Sequence, residues 1–301
     1  MNKYSRRHFL QYGGAVTAAA MLPSAKMPLF AAEGADTVRD RLWIWGHLEG
    51  SYDDQYGLPM NSRVTPLQGA EYLGIPNIIM VRYSNKPVPP YDEYAAQYRN
   101  VKKLMWSFVG DASSTTSPEE QEHVLELSQK MPNMTGLFMD DFFRGNAIPV
   151  DNQEVPAAIS VGRLKEIRER MTQLDRTPDL GVVLYTHQLN SAIRRHLDLC
   201  DLVSFWSWTA DDLAKLHENF AKYQEIAPNK RTLLGIYMWD FGQNRPLSMD
   251  LMKMQCDTAL KWLKNGTIEG MIFLGSNICD MKIEAVEWSK RWIAEHGDET
   301  V

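Results

Sequence analysis

The chain has 301 residues, 44% of them hydrophobic and 23% charged, with a formal net charge of −6. Outside its first few positions it carries no basic cluster beyond short pairs such as Arg194-Arg195, so nucleic acid is excluded as an expected partner. Its three cysteines, Cys200, Cys256 and Cys279, share no C-x-x-C spacing and cannot all pair. That pattern excludes a disulfide scaffold. Buried free thiols are the simplest reading, and one disulfide among the three is the alternative.

Residues 1–33 stand apart from the rest. Ser5-Arg6-Arg7-His8-Phe9-Leu10 is a twin-arginine pattern, and residues 12–22 are small and apolar. Together they resemble a Tat export signal, with Ala31-Ala32 as the expected cleavage point. The apolar stretch is too short for a stable transmembrane helix. No other stretch of spanning length occurs, so no membrane span is expected beyond the signal segment, and the expected location is periplasmic or secreted. The expected domains are the signal, 1–33, and one folded domain, 34–301.

Within that domain, short apolar runs alternate with stretches of helical pattern. The first strand is expected at 42–47, followed by a long loop and a helix at 62–73 that ends at Gly74. The second strand is expected at 77–83 with its helix at 91–101, and the third strand at 103–109. The next helix opens on Ser117-Pro118-Glu119-Glu120, an N-cap, a proline at the first helical position and acids in the first turn. The fourth strand, 135–140, leads into a long loop, 142–160, that contains Pro149 and Pro156. Loops of that length in compact domains are usually functional or disordered. A helix follows at 161–174, then a strand at 180–186 and a helix at 191–199. The sixth strand, 202–208, is followed by Thr209 as N-cap, Asp211 and Asp212 in a first turn, and helix as far as 226. The last units are strand 232–239 with helix 247–263, and strand 270–274 with helix 284–295. The unbroken alternation predicts an α/β fold, a single-domain (β/α)₈ TIM barrel of ample size for a full core. An open doubly wound sheet would need a glycine-rich nucleotide turn after a strand, and the sequence has none.

In this fold the chemistry gathers at the C-terminal ends of the strands. Met139-Asp140-Asp141-Phe142-Phe143 follows the apolar run Gly136-Leu137-Phe138. Two carboxylates there are costly unless hydrogen-bonded, metal-bound or used in a reaction. Alternation along a persisting strand would turn them to opposite faces, Asp140 toward the mouth and Asp141 into the loop. Asp240, after the seventh strand, and Glu49, after the first, are the candidates for a second catalytic carboxylate. His47, Arg82, Tyr83, Trp106, Tyr185, His187, Trp206, Trp208, Tyr237 and Trp239 are the candidate substrate-binding residues. Trp45, Tyr52 and Asp111 also stand at or beyond strand ends. Flat rings at a barrel mouth suit the C–H faces of sugars, while each residue singly could equally cap the core or a loop.

A polar, acidic, aromatic mouth suits glycoside hydrolysis, in which one carboxyl donates a proton and a second acts as base or nucleophile. Met139-Asp140-Asp141-Phe142 resembles the strand-four aspartate motifs of several barrel glycoside hydrolase families, including the α-galactosidase and polygalactosaminidase types. The resemblance implies Asp140 or Asp141 as a catalytic carboxylate and carries no other residue over; the mouth as a whole leads to the expectation of an oligo- or polysaccharide substrate, with no cofactor. The resemblance departs at the sixth strand, where Phe205-Trp206-Ser207-Trp208 offers no acid before Asp211 and Asp212. The chitinase pattern, a glutamate after spaced aspartates, is absent as well. Two alternatives stand beside this reading. His47, Glu49, Asp140, His187 and Asp240 are residue types that could serve a metal-dependent sugar isomerase, epimerase or hydrolase. The aromatic mouth could also serve a non-catalytic glycan-binding barrel.

Overall fold

The computed structural model describes residues 36–110, 116–150 and 153–301. The export signal and Asp111 lie outside them. Eight parallel strands close into a barrel in chain order: β1 Leu42–Gly46, β2 Asn77–Met80, β3 Lys103–Ser107, β4 Met134–Met139, β5 Asp179–Tyr185, β6 Leu202–Trp206, β7 Arg231–Tyr237 and β8 Gly270–Leu274. Closure places Leu42 opposite Met271 and Trp45 opposite Leu274. The expected TIM barrel is therefore the fold.

Two helices begin at the caps expected for them, after Ser117 and Thr209, whereas the helix expected from 62 begins at Pro66. Thr65 and Gln68 form a capping box for α1, Pro66–Leu73, and Gly74 ends it with a left-handed φ of 72°. Ser117 accepts from the Glu120 N–H to start α3, Pro118–Lys130, after the short α2, Asp92–Ala95. Ser160 caps α4, Val161–Met171, and α5 is short, Arg194–Leu197. The helix expected from 209 to 226 is two pieces, α6 Ala210–Leu213 and α7 Leu216–Ile226. At the break, the Asn219 side chain donates to the Asp212 carbonyl at 3.1 Å. Two long amphipathic helices, α8 Met249–Lys264 and α9 Glu284–His296, complete the outer ring. No helix among the described residues is long and apolar enough to cross a membrane.

Large rings fill the upper barrel, and glycines make room for them. Trp45 of β1 stands edge-on to Phe138 of β4 and to Trp206 of β6, with centroids 5.5 and 5.4 Å away. Such pairs add about 0.5–1.5 kcal/mol each beyond area burial. A Cβ on Gly181 in β5 would come within 2.7 Å of Phe138, and one on Gly235 in β7 within 2.0 Å of Trp206. Both glycines serve close approach within a strand rather than a turn. Cys200, Cys256 and Cys279 are all buried free thiols.

Candidate active site at the barrel mouth

β4 ends at Met139, so Asp140 is the first residue beyond the sheet. Asp141 then takes a left-handed φ of 43°, which aspartate tolerates better than most residues. Its N–H donates to Asp140 Oδ1 at 2.9 Å. This turn within one residue cancels the strand alternation, and both carboxylates line one cavity of about 210 Å³. The loop expected to hold Asp141 away from the mouth instead delivers it there. That loop is tightly built: Arg144 N–H donates to the Pro156 carbonyl and Ala158 N–H to that of Phe142. Amides after β5 brace it, Gln188 donating to the Phe143 carbonyl and Asn190 to that of Ala147.

Aromatic side chains wall the cavity. Trp45, Trp206 and Trp208 come from β1 and from β6 and its exit, Tyr185 and Tyr237 from the ends of β5 and β7. Tyr52 and Tyr56 arrive from the loop after β1, and both pack edge-on against Phe241. Trp239 holds that loop down by donating its indole N–H to the Tyr56 carbonyl at 2.9 Å. Tyr83, Ser84 and Leu274 complete the lining with His47. Tyr185 donates its hydroxyl to Asp141 Oδ1 at 2.8 Å. Burial first, and then the neighbouring Asp141 and Asp140, hold the Tyr185 and Tyr237 hydroxyls well above the usual phenol range. Burial does the same for Tyr52, which also feels Tyr56 and Asp140. These phenols are therefore protonated donors at neutral pH.

His47 is 3% exposed, and its Nδ1 lies 3.2 Å from the Val81 carbonyl. A carbonyl can only accept, so Nδ1 carries the hydrogen and Nε2 the lone pair. Burial lowers the imidazole to about 4, against the favourable pull of that carbonyl, so the ring is neutral at pH 7.

The predicted residues divide clearly by position. Asp140, Asp141, His47, Tyr83, Tyr185, Trp206, Trp208 and Tyr237 line the cavity. His187 stacks on Tyr185, centroids 5.4 Å apart, just outside it. Trp239 is a brace for the β1 loop rather than a wall. Trp106 points the other way and packs among Tyr91, Tyr94 and Tyr98 in the helical layer. Arg82 lies over Tyr91 and donates to the Asn85 carbonyl, also away from the mouth. Asp240 sits in a buried turn, where Oδ1 accepts from the Gln243 N–H and Oδ2 from Arg245 Nε at 3.3 Å. Glu49 is exposed, and its charge is felt at Tyr94 and Tyr98. The second carboxylate in the cavity is thus the immediate neighbour of the first, not a residue of the first or seventh unit. Tyr56, Ser84, Phe241 and Leu274 were not singled out from the sequence. A Tyr52-x-x-x-Tyr56 spacing was the available signal for Tyr56.

Of the five residues grouped by the metal reading, only His47 and Asp140 line the cavity. Among the described residues, no group of three or more His, Cys, Asp or Glu side chains is placed to hold a metal ion. A larger open depression, about 680 Å³, lies at the opposite end of the barrel. Its cations are already engaged: Arg231 with Glu269 and Asp179, and Lys230 with the Cys200 carbonyl. The C-terminal mouth is the candidate site because it joins a cavity to carboxylates at the strand ends.

A family model for the TAT (twin-arginine translocation) pathway signal sequence matches residues 3–23. No curated protein matches the chain. Solved structures match along most of it. Active domain 2 of a thermostable chitinase from Pyrococcus furiosus is 13% identical with a TM-score of 0.52, covering 89% of this chain and 92% of that one. A xylanase and α-amylase inhibitor protein from Scadoxus multiflorus is 11% identical with a TM-score of 0.51, covering 88% and 99%. A GH18 chitinase from Cycas revoluta is 13% identical with a TM-score of 0.47, covering 83% and 98%. At these identities the likeness is one of fold, an eight-stranded barrel shared by catalytic and inhibitory proteins.

Proposed function

We propose that this chain is an exported glycoside hydrolase that works at the aromatic mouth of its barrel, in the periplasm or outside the cell. The observation that carries the reading is the pairing of Asp140 and Asp141 in one ring-walled cavity. One carboxyl protonates the departing glycosidic oxygen. The other, ionised, stabilises positive charge as it develops at the anomeric carbon, and water completes the cleavage. Tyr185 fixes the orientation of Asp141, while Trp45, Trp206 and Trp208 offer faces on which a sugar ring can stack.

The test is Asp140→Asn and Asp141→Asn against a panel of plant and host polysaccharides. Loss of general acid–base action is expected to slow cleavage roughly 10²–10⁴-fold, with the melting temperature near that of the parent. Full activity in both variants overturns the proposal.

A second reading has its own support. The two carboxylates come from one strand end, whereas flanking a scissile bond calls for groups on either side of it. A glycan-binding barrel would use the same rings and carboxylates without turnover. Saturable glycan binding with no product after long incubation would favour it.

A further inference from the structure

The side chains around the mouth cavity touch one another in turn around the barrel. Tyr52 of the first βα unit packs against Tyr83 of the second, and against Phe241 of the seventh, with centroids 5.5 Å apart in both pairs. Tyr185 of the fifth unit donates to Asp141 of the fourth, and its ring meets Trp208 of the sixth at 5.7 Å. Trp208 in turn meets Tyr237 of the seventh at 6.4 Å. Leu274 fills the lining at the eighth. Among the described residues, the third unit alone adds nothing to this wall.

A groove that lets a polymer lie across the mouth needs two gaps that face each other. In a closed barrel of eight strands the third unit faces the seventh, and there Tyr237 and Phe241 stand in the way. The floor is closed as well, by Trp45 and Trp206 edge-on to each other, with Phe138 packed against Trp45. The wall is braced where it meets the β1 loop, by the Trp239 indole on the Tyr56 carbonyl. The volume, about 210 Å³, is below the roughly 300–1,000 Å³ of sites for drug-sized ligands, and fits one sugar ring rather than two. A glycan can therefore present only an end to this cavity.

The carboxylates decide which end. Asp140 and Asp141 line the same space as the ring faces, and both kinds of group favour positive charge. The sugar held there is thus the one whose anomeric carbon becomes positive as the bond breaks. In a terminal sugar that carries the rest of the chain on its anomeric carbon, that is the non-reducing end.

We propose that the mouth acts at chain ends, taking the non-reducing terminal sugar of a glycan and releasing it as a free monosaccharide. The bond from its anomeric carbon to the glycosidic oxygen breaks, and the electron pair leaves with that oxygen, which takes a proton from one carboxyl. The oxygen of a water molecule bonds to the anomeric carbon, and a water proton restores the carboxyl. Cleavage rests on the glycoside hydrolase reading; the restriction to an end rests on the shape of the wall.

The experiment follows products over time. The full chain is incubated with plant and host polysaccharides, and with short oligosaccharides of the same linkages that carry a fluorescent label at the reducing end. Free monosaccharide is expected as the first small product, with the label kept on a chain one ring shorter and the viscosity of the polymer barely falling. A benzylidene cap on the non-reducing terminal ring is expected to slow cleavage of the oligosaccharides at least tenfold. Fragments of mixed length before any monosaccharide, label on the released sugar, or capped chains cut as fast as uncapped ones overturns the proposal and leaves the hydrolase reading standing. No cleavage of any glycan sinks the hydrolase reading, and this proposal with it.

Discussion

Gly235→Ala is a one-methyl change that should disturb both the barrel and its site. Gly235 lies in mid-strand in β7 and packs under the Trp206 indole. An added Cβ would meet Trp206 Cε3 at 2.0 Å, Cδ2 at 2.2 Å and Cζ3 at 2.5 Å. Ordinary carbon contacts begin near 3.5 Å, so the ring or strand must move by about 1.5 Å. Trp206 has little freedom to yield. Its Nε1 donates to Ser204 Oγ at 2.7 Å, and its ring packs edge-on to Trp45 and Tyr237. Overpacking a core in this way costs about 1–3 kcal/mol, and a clash this short belongs at the upper end. For a domain of this size, about 3 kcal/mol is a fall of roughly 5–10 °C in melting temperature. Denaturant and thermal unfolding of four proteins would measure it: the parent, Gly235→Ala, Trp206→Leu and the double variant. Once the indole is gone, alanine at 235 should cost under about 1 kcal/mol. Parent-like stability for Gly235→Ala, or an equal penalty in the Trp206→Leu background, would refute the packing argument.

Other outcomes follow from the site. Tyr185→Phe keeps the ring but removes the hydroxyl that fixes Asp141; a hydrogen bond to a charged group is worth about 1.5–3 kcal/mol, so cleavage should slow on the order of 10–100-fold with little change in KM. A rate equal to the parent's would remove Tyr185 from the mechanism. His47 titrates near 4 when folded and near 6.5 when unfolded, so the unfolded chain binds the extra proton between those values. Its contribution is fully present above about pH 6.5 and is lost as pH falls toward 4, in total about 3 kcal/mol. Urea unfolding across that range should show a shallower decline for His47→Leu, and parallel curves would contradict the assignment. Asp240→Asn should lower stability by about 1–2 kcal/mol through its turn and leave the cleavage rate per folded molecule unchanged, while Glu49→Gln should change neither. A large kinetic loss in either would return that residue to the site.

The barrel was legible because its signals are local. Ser117 and Thr209 cap helices from within three residues, and the apolar runs mark strands without reference to the rest of the chain. The facing of each strand was less accessible. Strands of a parallel barrel are buried on both faces, so hydrophobicity does not reveal which alternate set points inward. Trp206 and Trp106 read alike in sequence, yet one walls the cavity and the other packs under Tyr91 and Tyr98. Arg82 went astray for the same reason. The facing of Asp141 beside Asp140 was not legible because a single left-handed residue, Asp141 itself, overrides strand alternation, and no pattern announces it. Tyr56 and Phe241 come from loops eleven or fewer residues into a connection, and only tertiary contact brings them together.

The three cysteines bear on how such a protein could travel. Burial lifts the Cys200 thiol to about 12 and raises those of Cys256 and Cys279 further from the thiolate form. None depends on an oxidant to complete the fold, and none presents a reactive sulfur once the fold is complete. A chain so built can reach its final shape in a reducing compartment and pass into an oxidising one chemically unaltered. That property matches a leader of the twin-arginine type, whose route carries proteins already folded.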